Sequence, residues 1–363
     1  MTPGGYYEPP KPPASEPPPE WLKGEGEASD VVLSSRVRLA RNLAGVPFSP
    51  KSGPKDRARS LELCRDQILL AGLASRIVWE DLHEATPIKR ALLVERHVIS
   101  KQLSKGRGGA DEPRGVAYSV PDERLAIMVN EEDHLRIQAI RSGLALSAAY
   151  AEVDRADDLI EAGLDYAFSR RFGYLTACPT NVGTGVRMSV MLHLPALRLT
   201  GDIEKVKRAA DGLCLAVRGF YGEGSEAVGD LYQLSNQTTL GKTEQEILSL
   251  LETDILPRIV EYERVARREL LTKRRTLLED QAFRAWGLLN NARLLTTEEA
   301  MQMLSMARLG SICEILPVDS KTINSLFLLV QPAHLQRVMR TELDQEQRRS
   351  ARATYVRSRL ARG

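Results

Sequence analysis

The stretch Leu125-Ala126-Ile127-Met128-Val129-Asn130-Glu131-Glu132-Asp133-His134-Leu135-Arg136 runs from five apolar residues straight into three carboxylates and an arginine. A short apolar run of this kind predicts a buried strand. The chain leaves the core at Asn130, so Glu132 stands at a strand-to-loop transition, where side chains project into clefts. Glu131 and Asp133 read as the acidic first turn of a following helix.

Working outward, Ser35 to Leu39 places Arg36 and Arg38 on one face of a strand and Ser35, Val37 and Leu39 on the other. Val186 to Leu194 alternates in the same way. Arg187, Ser189, Met191 and His193 lie on one side, with Val186, Met188, Val190, Leu192 and Leu194 on a core-like side. Leu213 to Val217 predicts a strand, and Leu231 to Gln237 its hairpin partner across a glycine-rich loop. Ala91 to Val94 is strand-like and ends near His97, and Tyr174 to Cys178 is a short strand stopped by Pro179. Gly106 to Gly109 reads as a loop. Helical spacing covers Leu61 to Leu73 and Ala145 to Phe168, the latter with its acidic residues outward. Beyond Gly241, Thr243 caps a helical run broken at Pro257, and Arg264 to Arg275 reads as a solvated helix face.

Residues 1–20 hold eight of the 19 prolines and almost no aliphatic side chains, so they read as a disordered tail unable to bury a core. The 50 basic and 48 acidic residues leave a net charge of +2, which gives no general drive toward nucleic acid or membrane. Four cysteines (Cys64, Cys178, Cys214, Cys313) form no CxxC pair and suit a reducing cytoplasm; all but Cys178 are expected in the core. No histidine spacing suits a metal site.

Several familiar phosphate motifs fail. Gly222 to Ala227 fits a loose dinucleotide pattern, but an alternating strand follows where a helix is required. Gly241-Lys242-Thr243 resembles the end of a P-loop, yet Asn236 occupies the upstream glycine position. The HRD and DFG elements of eukaryotic-type protein kinases are absent. What remains is an unusual set: Arg36, Arg38, Arg136, Arg187 and Arg218, with the carboxylates Glu132 and Glu223 at strand ends. Phosphoryl transfer needs cations around the terminal phosphate. A guanidinium acceptor stays protonated, so its nitrogen becomes nucleophilic only when carboxylates grip it and accept a proton.

Asn130 to Arg136 and Cys178-Pro179-Thr180-Asn181-Val182-Gly183-Thr184-Gly185 resemble the signature segments of the phosphagen (guanidino) kinases, and Ser34 to Arg38 resembles their nucleotide-binding strand. The fuller strings Ser34 to Asn42, Cys178 to Leu197 and Arg218 to Glu226 are similar to a bacterial branch of that family acting on arginine side chains of proteins. The likeness spans roughly residues 22–360. It implies an ATP-dependent kinase, with magnesium arriving on ATP, that marks proteins for regulated degradation or alters their activity. By the same likeness Glu132 is the catalytic base, Glu223 the second carboxylate and Cys178 the reactive cysteine near the acceptor nitrogen. The ATP site then comprises Ser34, Ser35, Arg36, Val37, Arg38, His97, Arg136, Arg187, Met188, Ser189, Val190, Met191, Arg218, Gly219, Phe220, Tyr221, Gly222 and Glu223.

Pattern and resemblance together give an α+β fold. A catalytic domain with a curved, mainly antiparallel sheet flanked by helices is expected over residues 21–260, and a helical dimerisation and regulatory domain over 261–363. The kinase core begins near residue 30, without the helical N-terminal domain that closes over small substrates in the free-amino-acid kinases. An open cleft suits a side chain on a protein surface; a free guanidino compound, or an adaptor that inhibits a stress-response repressor, are the alternatives. The resemblance further implies a homodimer and partners of three kinds: an AAA+ unfoldase-protease, an activator protein and a transcriptional repressor. The family's phosphoarginine-sensing motif RDxxRA appears as Arg348-Arg349-Ser350-Ala351-Arg352-Ala353, so Arg348 and Arg352 keep the sensing positions while Arg349 replaces the aspartate.

Overall fold

A computed structural model describes residues 18–106, 112–219 and 228–361. In chain order its strands are β1 (Val32–Arg41), β2 (Ile77–Asp81), β3 (Gly115–Ser119), β4 (Leu125–Val129), β5 (Leu135–Ser142), β6 (Phe168–Ser169), β7 (Gly173–Tyr174), β8 (Val186–His193), β9 (Leu215–Arg218) and β10 (Leu231–Asn236). Eight of them form one antiparallel sheet in the order β2-β3-β4-β5-β1-β8-β10-β9, and β6 pairs with β7 apart from it.

Register decides where the arginines go, because residues paired across strands share a face. Arg38 lies opposite Gln138 on β5 and Arg187 on β8, Ala40 opposite Arg136, and Arg218 opposite Gln233. All five arginines therefore stand on one face. Val37, Leu39, Ile137, Val186, Met188 and Val190 fill the other and are buried. Against that apolar face pack α1 (Pro54–Leu70) and α4 (Leu146–Glu161). On the arginine side, α2 (Pro87–Glu95) and α3 (Lys101–Lys105) cover β3 and β4 through Leu93, Leu103, Val116 and Met128. After α5 (Pro195–Thr200), α6 (Ile203–Gly212), α7 (Glu244–Ser249) and α8 (Leu256–Lys273) come five further helices: α9 (Arg275–Asn291), α10 (Thr297–Ile312), α11 (Ser320–Leu329), α12 (Pro332–Met339) and α13 (Gln345–Leu360). These last helices share a core with Trp21, Ile140, Met191 and Leu231, so the helical region closes one end of the arginine face.

Several sequence expectations change. Ala91 to Val94 is helical within α2, because Thr86 Oγ1 accepts the Lys89 N–H and Pro87 sits in the first turn, a start signal stronger than four apolar residues. No helix follows Glu131 to Asp133; β5 begins at Leu135, and the segment is a tight β4–β5 connection. The helix expected to Phe168 ends at Glu161, and Asp157 on it turns inward, 2.6 Å from Arg41. That arginine also lies 3.6 Å from the centre of the Tyr174 ring. The strand expected over Tyr174 to Cys178 shrinks to Gly173–Tyr174, and Pro179–Asn181 form a 3-10 turn.

Thr243 caps α7 as anticipated, with Glu246 completing a capping box, but Pro257 breaks nothing. A π turn over Leu250–Ile255 precedes it, and Pro257 occupies the first turn of α8, where no backbone N–H is required. The charge run is not wholly solvated: Arg267 is buried between Glu263 and Asp30, at 3.0 Å from each. Cys64 is buried, Cys313 half-buried and Cys214 exposed, since the strand starts only at Leu215. The boundary expected at 260/261 falls inside α8, whose Ala266 and Leu270 still pack in the sheet's core. Residues 1–17 of the proline-rich tail, like Arg107 to Gly109 of the expected loop, lie outside the described residues; Glu20–Leu22 form a buried 3-10 turn. Among the described residues no helix is long and apolar enough to cross a membrane.

Arg352 is buried on α13, and its guanidinium donates to the Val330 carbonyl at 2.7 Å and the Leu295 carbonyl at 2.8 Å. Arg352→Met would strand both acceptors, at a cost of about 2–4 kcal/mol. Thermal denaturation of this variant should show a melting point lower by several degrees.

Candidate active site

The arginine face opens into a cavity of about 250 Å3. Arg36, Arg38, Arg136, Arg187 and Arg218 all line it, together with Glu132 and Cys178. Each arrives by a separate rule of local structure. The period of two delivers Arg36 and Arg38 from β1 and Arg187 from β8, while Arg136 opens β5 and Arg218 closes β9. Cys178 precedes the 3-10 turn, and its Sγ lies 3.0 Å from Thr180 Oγ1. Gly185, at φ +68°, lets β8 start beside β1; a Cβ there would stand 2.7 Å from the Ala40 carbonyl oxygen.

The charges are poised for an anion. Burial, then Arg36, Arg136 and Arg187, hold the Arg38 guanidinium well below its ordinary pKa. Burial, then Arg187 and Arg136, lower Arg36 to about 10. Arg36 Nε is buried and makes no hydrogen bond among the described residues. Cations crowded in this way repel one another until a multiply charged anion lies between them. One of them is already anchored: Arg136 donates to Glu131 at 2.6 Å, and Ser100 donates to the same carboxylate. Glu132 is 3.6 Å from Arg136 and partly exposed to the cavity. The acidic turn thus splits its roles, with Glu131 fixing an arginine and Glu132 lining the cavity.

A smaller hollow of about 40 Å3 adjoins the cavity and shares Arg36, His97 and Gln233 with it. Ser34, Ser189 and Met191 line it, as does Trp21, whose ring meets His97 edge-on at 4.7 Å. The sequence reading missed Trp21 because it follows directly on the proline-rich tail; a lone tryptophan at that border was the available signal. His97 sits just past α2 at φ +60°. Burial, then Arg36 and Lys101, push its pKa down to about 3. A depressed histidine favours the fold above the unfolded value near 6.5, and this contribution fades as pH falls toward about 3. The His97 ring resonances should accordingly show no titration between pH 5 and 8 by NMR.

Not every candidate faces the cavity. Val37, Met188 and Val190 point into the opposite core, and Ser35 donates to the Gly143 carbonyl there, because alternate residues of a strand leave opposite faces. Gly219 is buried beside Arg218, whereas Phe220, Tyr221, Gly222 and Glu223 lie outside the described residues. Arg348 donates to the Leu343 carbonyl at 2.6 Å, so both candidate sensing arginines are engaged with backbone carbonyls of the helical region. No group of three or more potential metal ligands occurs among the described residues.

This geometry coincides with relationships across most of the chain. Residues 69–266 match the ATP:guanido phosphotransferase C-terminal catalytic domain, and residues 275–363 the protein-arginine kinase McsB C-terminal domain. The solved lombricine kinase superposes with a TM-score of 0.57 at 27% identity, covering 69% of this chain and 72% of that one. The duplicated taurocyamine kinase of Schistosoma mansoni gives 0.57 at 26% identity, over 64% of this chain; the match spans only 33% of that longer chain. The fold is that of the ATP:guanido phosphotransferases. A protein-arginine kinase of Symbiobacterium thermophilum is 46% identical over 94% of this chain and 96% of its own, and one of Geobacillus stearothermophilus 43% identical over 94% and 93%. The chain belongs to the protein-arginine kinase family.

Proposed function

We propose that this chain transfers the γ-phosphoryl group of ATP to the guanidinium of arginine side chains in proteins, with Glu132 as the base. One observation carries the assignment: five arginines and the carboxylate of Glu132 line the same cavity. The cations match a triphosphate, and the carboxylate matches an acceptor that must lose a proton to attack.

In this mechanism Arg36, Arg38, Arg187 and Arg218 hold the phosphates and stabilise the charge spread over the transferring group. Arg136, pinned by Glu131, keeps its direction as that charge moves. Glu132 orients the target guanidinium in line and accepts its proton as the nitrogen attacks the γ-phosphorus. Cys178 stands on the acceptor side, and Glu223 joins the grip as a second carboxylate. His97, kept neutral, adds no charge near the base. Magnesium would enter this site bound to the nucleotide and offset part of the phosphate charge.

Incubation with Mg-ATP and a protein mixture, followed by mass spectrometry under non-acidic conditions, should yield phosphorylated arginine. ATP turnover without that product, or phosphorylation confined to free arginine, would refute the reading.

A further inference from the structure

The third carboxylate of the acidic turn takes no part in the mechanism above, yet it is 1% exposed. Asp133 Oδ1 accepts two hydrogen bonds, one from Asn42 Nδ2 at 2.6 Å and one from the Ala177 backbone N–H at 2.7 Å. Ala177 immediately precedes Cys178. Asn42 in turn donates to the Leu175 carbonyl at 3.1 Å, and its own Oδ1 accepts the His134 N–H at 3.0 Å. His134 Nδ1 accepts the Leu43 N–H at 3.0 Å, which leaves Nε2 to donate to the Pro47 carbonyl at 3.1 Å. Three stretches distant in sequence therefore meet at one carboxylate oxygen: the end of β1, the turn carrying Glu132, and the segment leading to Cys178.

We infer that Asp133 is a positioning residue that sets the distance and orientation between Glu132 and Cys178, the two acceptor-side groups of the cavity. Glu131 and Asp133 bind different partners, the first Arg136 and Ser100 on the nucleotide side, the second Asn42 and Ala177. The residue between them is held from both ends and projects into the cavity. The second oxygen, Asp133 Oδ2, is buried with no hydrogen-bond partner among the described residues. A carboxylate in such a place is costly, and burial raises its pKa above the ordinary value despite the Ala177 and Asn42 bonds. An asparagine would supply the same Oδ1 acceptor without the charge. What the site requires is thus one acceptor at one point rather than a negative charge, and reactions that depend on in-line approach are sensitive to shifts of about 1 Å.

This inference rests on the assignment of Glu132 as base, and two variants separate it from a plain folding role. Asp133→Ala should lower kcat for arginine phosphorylation by about tenfold to a hundredfold. Its KM for ATP should stay within about twofold, because the arginine face is untouched, and the rate of Cys178 alkylation by iodoacetamide should change severalfold. Asp133→Asn should restore kcat and the alkylation rate to near the parent values. Full activity in Asp133→Ala overturns the inference, as does an Asp133→Asn variant as impaired as Asp133→Ala. A matching loss of ATP affinity and melting temperature in both variants does so too. Glu132→Gln, assayed alongside, identifies which claim fails: if it remains active the base assignment falls, whereas an inactive Glu132→Gln beside a fully active Asp133→Ala removes only the positioning role.

Discussion

Glu132→Gln lowers kcat for arginine phosphorylation by about a thousandfold while KM for ATP stays within about twofold. Gln keeps the shape and one hydrogen-bonding oxygen but cannot take the guanidinium proton. Glu132 is the residue of the acidic turn left facing the cavity, and its contact with Arg136 is a loose 3.6 Å, so the arginine holds its place through Glu131 when Glu132 is neutralised. Steady-state kinetics with a protein substrate, combined with a nucleotide-binding titration, checks both halves. Retained turnover in Glu132→Gln would remove the mechanism, and lost ATP binding would show that Glu132 serves the nucleotide instead.

Arg38→Met pulls activity and stability in opposite directions. Removing one cation from the phosphate cradle should cut kcat/KM for ATP by about a thousandfold, the order associated with a single charge-stabilising arginine in phosphoryl transfer. The nucleotide-free protein should become more stable by about 2–4 °C in melting temperature. Arg38 is held charged against burial and against three neighbouring arginines, and Met covers a similar apolar stem without the repulsion. Calorimetry without nucleotide reads the gain, and the smaller upward shift on adding Mg-ATP reads the lost binding. A variant that melts lower than its parent would show that the arginine cluster is satisfied internally rather than waiting for an anion. Sites that trade stability for activity in this way are common where like charges must be held ready.

Much of this was legible along the chain because it depends on neighbours in sequence. Period-two alternation put Arg36 with Arg38 and set Arg187 apart from Met188, and the apolar run before Asn130 located Glu132 at a strand end. Failures came where a distant partner, or in one case a stronger local start signal, outweighed the apolar pattern. Ala91 to Val94 looked extended, yet the Thr86 cap and the small core shared with β3 and β4 make it helical. Asp157 looked solvated on an amphipathic helix, yet Arg41, more than a hundred residues earlier, draws it inward. The roles given to Glu131 and Asp133 failed for the same reason: besides the nearby Arg136, their partners are Ser100, Asn42 and Ala177, joined only by folding.

The linear order of residues was enough to assign β1, β4, β8, β9 and β10, the faces of their side chains and the kinds of charge involved, since those follow from backbone geometry within a few positions. Strand order and register, which bring Arg36, Arg38, Arg136, Arg187 and Arg218 from four strands to one cavity, came from long-range pairing. So did the separate surroundings of three adjacent carboxylates. A carboxylate's chemistry depends on what surrounds it, and in this turn the surroundings come from segments that meet only in three dimensions.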